Sequence, residues 1–343
     1  MLEPNSIKLD DFDVKKIRML LSEIAANFTT IESPEFLMQA ALLSHELPRI
    51  LRKKMEEFRL EERGCGAVVI RGFPIDARKI GPTPASWDER SAPPFCTLEE
   101  EILLTLCGAL LGDLVTWASE QDGHIVNNVL PIQQYADSQL GWGSTNELIF
   151  HVENAASLCS PDYLGLICMR NPDLIGTTIS ALFDHDLLQL DVDTLFGNNF
   201  FIRPDDAHTV ISTRQQNDHN PDRDLALSRR KEEIKQPLRT SILFGNRRAP
   251  YLRVDPAYMY ADNCEKSETA MAQFLKTLNA NKTCVYLQPG DMVFIDNFRT
   301  VHGRDPFKPK YDGTDRWLKR VQVTRDLRKS RAHRASATSR KIL

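Results

Sequence analysis

Leu148-Ile149-Phe150-His151-Val152-Glu153 is a short apolar run that ends on an imidazole and a carboxylate two residues apart. So brief a stretch, rich in branched and aromatic residues, reads as a strand. On a strand, residues i and i+2 point to the same face, so His151 and Glu153 are placed to project into one cavity. Comparable runs lie at 163–169, 177–180, 209–213, 240–244, 283–287, 292–295 and 318–323. Turn residues separate them. Many short strands with turn signals predict a sandwich or barrel rather than βαβ units.

Upstream the texture is helical. Apolar residues in 13–28 recur at helical intervals, and a second helical stretch spans 34–59, where Ser33, Pro34 and Glu35 supply a start signal. The run 66–73 reads as a strand bracketed by glycines, 81–94 as a proline-rich loop, and 97–111 as a helix with Thr97 as cap and Glu100 three residues on. Two further helical intervals, 186–195 and 264–278, interrupt the strands. The polar segment 215–236 reads as a lid-like insertion, and the basic 325–343 as a poorly ordered tail.

Composition narrows the function. The 343 residues are 42% hydrophobic and 26% charged, as in ordinary globular proteins. A formal charge of −4 argues against nucleic acid as a partner, since such binders carry a basic face. No run approaches the roughly 18–20 apolar residues that a membrane span needs. The polar, acidic first residues offer no secretory signal. Seven cysteines without a CxxC pair fit reduced thiols, so a cytoplasmic protein is expected.

His302 is the candidate to complete the pair at 151 and 153. It follows the turn Pro289-Gly290-Asp291, the strand 292–295 and Asp296-Asn297. Two histidines and one carboxylate on one face of a metal mark the non-haem Fe(II) oxygenases. Fourteen residues past His302 stands Arg316, placed after one hairpin to return to the same cavity and clamp a carboxylate with its planar fork. His45, His124, His185, His208 and His219 have no partner pattern and read as surface or internally satisfied residues.

These residues resemble the clavaminate synthase-like branch of the Fe(II)/2-oxoglutarate dioxygenases, broadly related to taurine dioxygenase. The resemblance extends to hydroxylases of free arginine, lysine and asparagine. It covers about 64–323 and is strongest in His151-Val152-Glu153-Asn154-Ala155, in Pro289-Gly290-Asp291 through His302-Gly303-Arg304, and in 311–320. It implies a mainly β fold with flanking helices: a double-stranded β-helix, or distorted jelly roll of the cupin kind. A single catalytic domain over 1–324 follows, with a helical part at about 1–62 and the core at 64–324. It implies Fe(II) on His151, Glu153 and His302, and 2-oxoglutarate and O2 as cosubstrates. The distal carboxylate of 2-oxoglutarate falls to Arg316, with Thr178 or its neighbour Thr177 assisting. Arg320 matches an arginine that holds the carboxylate of the amino-acid substrate, and it shares a strand face with Arg316.

Hydroxylation of an unactivated C–H bond is the implied reaction. Related halogenases lack a carboxylate where Glu153 stands, and desaturation uses the same ligands. A zwitterionic substrate needs acceptors for its ammonium, for which Gln121, Glu153 and Asn154 are the candidates. The side-chain end falls to Asp255, or to Asp218, Asp222 and Asp224 in the polar insertion. L-Arginine or L-lysine is the expected substrate, with asparagine, another polar amino acid or a carrier-bound amino acid as alternatives. A different class also fits the fold: a cupin-like binding protein without turnover.

Overall fold

The computed structural model describes residues 3–62, 64–89, 96–210 and 219–343. Two sheets carry the architecture. The larger takes Asn5–Lys8, Ala67–Arg71, Met292–Asp296, Tyr163–Arg170, Trp317–Thr324, Asp113–Trp117 and Lys341–Ile342 in that spatial order, with Asn127–Val129 pairing Trp317–Thr324 off the path. The smaller takes Thr283–Val285, Thr177–Ala181, Thr300–Arg304 and Leu148–His151.

Alternation explains the layering. Val69, Leu164, Leu166, Val293, Ile295 and Leu318 of the larger sheet meet Ile179 and Val285 of the smaller in one buried cluster. The intervening residues of the same strands point the other way. Val68, Ile70, Ile167, Phe294 and Val321 pack with Ile17, Leu21, Phe36, Leu51 and Leu103 from the helical layer. Both faces of the larger sheet are therefore buried, which fits the unbroken apolar run 67–70. On the smaller sheet Phe150 and Val301 turn outward to Phe274 and Leu278 of the helix Glu265–Ala280. That leaves the neighbouring residues, His151 and His302, facing inward.

Several boundaries differ from the expectation. The helix expected over 34–59 is two, Pro34–Ser44 and Arg49–Leu60, because Pro48 cannot sit in a helix interior. Thr97 does not cap the next helix with its side chain; its hydroxyl donates to Glu101 Oε1 instead. The expected helix at 186–195 is two short turns, Asp184–Leu187 and Val192–Phe196. The run at 240–244 is split between Leu238–Thr240 and Leu243–Asn246, which belong to two different small sheets. No strand forms at 209–210, which follow the turn Asp206–His208; residues 211–213 lie outside the described residues.

Within the polar insertion, 215–218 also lie outside the described residues, and Pro221–Lys235 is a helix capped by Asn220, whose Oδ1 accepts from the Arg223 N–H. The C-terminal tail is the larger correction. Composition predicted disorder, yet 327–343 are laid against the protein. Lys341–Ile342 adds a parallel strand to Asp113–Trp117, and Ile342 packs on Val115 and Trp117. Arg334, buried, donates to the carbonyls of Leu327, Ser336, Ala337 and Ser339. One guanidinium with five donors thus satisfies a knot of main chain that has too few apolar residues to collapse by itself. All seven cysteines are free thiols. No helix among the described residues is long and apolar enough to cross a membrane.

Candidate metal centre and active site

The strands Leu148–His151 and Thr300–Arg304 pair antiparallel with His302 directly opposite His151, and their ring centroids are 4.3 Å apart. Glu153 follows the first strand. Its main chain is held by Asn297, fully buried, whose Oδ1 accepts from the Glu153 N–H at 2.7 Å and whose Nδ2 donates to the Glu153 carbonyl at 3.0 Å. Glu153 Oε2 lies 3.5 Å from His302 Nε2. One ligand atom from each of His151, Glu153 and His302 falls within 4.8 Å of the others.

The protonation states suit a divalent cation. His151 Nδ1 lies 2.9 Å from the Ile149 carbonyl and donates to it, which leaves Nε2 as the ring nitrogen available to a metal. Burial, with His151 alongside, pushes His302 down to about 4, which keeps its ring neutral. Burial alone would raise the Glu153 carboxyl, but Arg320 and the two imidazoles outweigh it and hold the group below the usual carboxylate range. Two imidazoles and one ionised acid, converging on one point, form a donor set for a borderline metal such as Fe(II).

Two cavities meet at this cluster. One is walled by Leu164, Leu166, Leu318 and Thr177 and ends on Arg316 and Arg304. Arg316 is buried, donates to Thr177 Oγ1 at 3.2 Å, and leaves its Nε without a partner. Among the described residues Arg304 donates to the carbonyls of Ser144, Asp305 and Asn146. Burial pushes each guanidinium down to about 10. Neither forms an ion pair among the described residues. A pair of buried cations without an anion fits a ligand that brings one, such as the far carboxylate of 2-oxoglutarate.

The other cavity is acidic. Glu120, Asp205, Asp255 and Glu153 line it, with Arg320 as its one lining arginine. Arg320 bridges Glu153 Oε1 at 2.7 Å and Glu120, and donates to Asn127 Oδ1 at 3.0 Å. Burial raises the Glu120 carboxyl, with Glu153 adding to the effect. Burial raises Asp255 to about 6 and Asp205 well above its ordinary value.

His151, Glu153, His302, Arg316, Arg320, Gln121 and Asp255 are thus brought together; Thr178 and Asn154 are not. Thr177 and Ile179 face the cavity between the sheets, and alternation turns Thr178 away, its Oγ1 buried without a partner. The hydroxyl beside Arg316 is that of Thr177. Asn154 sits in the left-handed region at φ 52°, which swings its side chain out of the pocket to Gln322 and His208. Gln121 lines the pocket, but both ends of its amide bond the main chain of Asn128. Asp222 and Asp224 lie on the 221–235 helix and do not line the cavity, while Asp218 lies outside the described residues. Glu120, Asp205, Asn297 and Arg304 carried no pattern that assigned them a role; each acts through neighbours distant in sequence.

The sequence model of the taurine catabolism dioxygenase TauD, TfdA family matches residues 37–322. The chain belongs to that family. Among its relatives is "Enduracididine beta-hydroxylase" of Streptomyces hygroscopicus, 40% identical over 98% of this chain and 99% of the relative. Another is "L-ornithine/L-arginine 3-hydroxylase" of Catenulispora acidiphila, 39% identical over 94% of this chain and 95% of the relative. The crystal structure of the non-heme iron oxygenase OrfP with Fe, succinate and (3S)-hydroxy-L-Arg superposes with a TM-score of 0.90. It is 36% identical and covers 98% of this chain and 99% of its own.

Proposed function

We propose that this family member catalyses the Fe(II)- and 2-oxoglutarate-dependent hydroxylation of a free L-amino acid with a cationic side chain, L-arginine in the first place. The paired sheets, with helices on their outer faces, are read as the double-stranded β-helix of the family. In this reading His151, Glu153 and His302 hold the iron. Arg316, assisted by the Thr177 hydroxyl, receives the distal carboxylate of 2-oxoglutarate. When bound, iron and 2-oxoglutarate supply the oxidation: one oxygen atom of O2 leaves in succinate, formed with CO2, and the other enters a C–H bond of the substrate.

The observation that carries the substrate reading is the acid-rich cavity. Glu120, Asp205 and Asp255 surround space that opens onto the metal cluster. Three carboxylates confined together, with Glu120 and Asp255 buried and Asp205 partly so, repel one another and are driven toward the neutral form. A guanidinium or ammonium relieves this, and a neutral amide does not. Arg320 then has two roles. It balances Glu120 and Glu153 in the unliganded protein, and it can turn its fork to the carboxylate of an arriving amino acid. The relatives named as hydroxylases of arginine, ornithine and enduracididine support the same substrate class.

The test is succinate formation from 2-oxoglutarate with Fe(II), O2 and a panel of arginine, ornithine, lysine, asparagine and glutamine, with mass spectrometry for a product heavier by one oxygen atom. Arginine is expected to lead and asparagine to lag. Iron binding without stimulation by any free amino acid would overturn the reading and favour a carrier-bound substrate or a protein without turnover.

A further inference from the structure

His208 is a buried side chain that the function above leaves without a task. It closes the turn Asp206–His208 and is 2% exposed. Its Nε2 lies 2.6 Å from Asn154 Oδ1 and its Nδ1 2.8 Å from Ser119 Oγ. The neighbours dictate the direction of both bonds. Asn154 Nδ2 donates to Gln322 Oε1 at 3.1 Å, so Asn154 Oδ1 is left to accept, and His208 Nε2 carries the proton. Nδ1 of the neutral ring then accepts a hydrogen bond from the Ser119 hydroxyl. Burial, with the Arg230 guanidinium nearby, holds the imidazole well below its ordinary value, in keeping with a neutral ring. From Gln322 the chain of bonds runs on, Nε2 donating to Glu120 Oε2 at 3.3 Å.

Each segment joined at the ring also carries one acid of the substrate cavity. Ser119 precedes Glu120, Asn154 follows Glu153, and His208 stands three residues after Asp205. The three segments come from different parts of the chain. Asp205 has no strand to hold it: its carboxylate accepts from the Ala207 N–H, and its turn is pinned on the far side by Tyr258, whose hydroxyl donates to Asp206. His208 is the inward anchor of that turn.

We propose that His208 is a positioning residue that sets where Glu120 and Asp205 stand, and so the fit of the cationic amino acid between them, while Asn297 holds Glu153 independently. This rests on the amino-acid reading above. It differs from a packing role in one respect: the ring acts through two directed hydrogen bonds, so shape alone cannot replace it.

The experiment compares wild type, His208→Ala, His208→Gln and Ser119→Ala. It measures KM for L-arginine, KM for 2-oxoglutarate, Fe(II) affinity, melting temperature, and hydroxylated arginine formed per succinate. His208→Ala is expected to raise the arginine KM by about tenfold to a hundredfold, the scale of a small misplacement of binding groups. Product per succinate falls, while Fe(II) affinity and the 2-oxoglutarate KM stay within about twofold of wild type. His208→Gln, whose amide can still donate to Asn154, recovers part of the loss. Ser119→Ala removes only a hydroxyl and keeps the readout available should His208→Ala not fold; it is expected to raise the arginine KM by about threefold, a single weakened hydrogen bond.

Equal losses in arginine, 2-oxoglutarate and iron binding, with a lower melting temperature, would overturn the proposal in favour of packing. So would an arginine KM that none of the variants moves. A wild-type enzyme that hydroxylates no amino acid would instead overturn the functional reading itself, which separates the two failures.

Discussion

Arg316→Met separates binding from folding at the cosubstrate end of the site. Arg316 is 6% exposed, and its side-chain partner there is the Thr177 hydroxyl. If its fork grips the far carboxylate of 2-oxoglutarate, truncation removes one partner of a buried charged contact, at about 2–5 kcal/mol. At about 1.4 kcal/mol per decade that is roughly a thirtyfold to several-thousandfold rise in the 2-oxoglutarate KM. The protein without cosubstrate responds in the opposite sense. Burial lowers the guanidinium from 12.5 to about 10, so the fold disfavours the charged form by roughly 3 kcal/mol. An unbranched apolar side chain of similar length escapes that cost. The melting temperature without ligands should hold or rise, and the stabilisation normally produced by 2-oxoglutarate should vanish. Steady-state kinetics over a 2-oxoglutarate series, with thermal unfolding with and without it, make the measurement. A KM within twofold of wild type would refute the clamp, and a large fall in the ligand-free melting temperature would refute the account of the buried cation.

Asn297→Ala leaves the Glu153 main chain without its two side-chain bonds, and Fe(II) affinity is expected to fall about 10- to 100-fold, as for other groups that orient metal ligands; anaerobic Fe(II) titration checks it. The Asp255 carboxyl, raised to about 6 by burial, must ionise to receive a cation. The arginine KM is therefore expected to fall as pH rises from 5 to 7, and Asp255→Asn to flatten the profile. The accompanying stability runs the other way, since an acid raised in the folded state favours folding at low pH and loses that advantage as pH passes its folded value. Deleting 335–343 removes the parallel strand on Asp113–Trp117 and the carbonyls that satisfy buried Arg334. A lower melting temperature is expected, by differential scanning calorimetry, and an unchanged one would mean that the tail contributes nothing to the fold.

The chemistry was legible where it depends on residue types at short spacing. His151 and Glu153 stand two apart, and His302, Arg316 and Arg320 fall in motifs with turns and strands that place them. The substrate end was less legible. Glu120 and Asp205 are ordinary acids in the sequence, and become a pocket because the exit of Asp113–Trp117 and the turn at 206–208 meet there. Asn154 looked like a pocket residue by adjacency, but its positive φ turns it away. The tail looked disordered because composition counts apolar residues and does not see one arginine gathering carbonyls.

Alternation along each strand, the turn residues between strands and the identity of the metal-ligand candidates are local properties, and the sequence alone determined them. Tertiary structure decided which distant acids share a cavity, which of two neighbouring threonines meets Arg316, and where a buried histidine ties three segments together. The physical reason is range. Side-chain direction on a strand follows from the backbone within two residues, whereas the environment of a charge depends on every segment packed around it, and those segments are set by the whole fold.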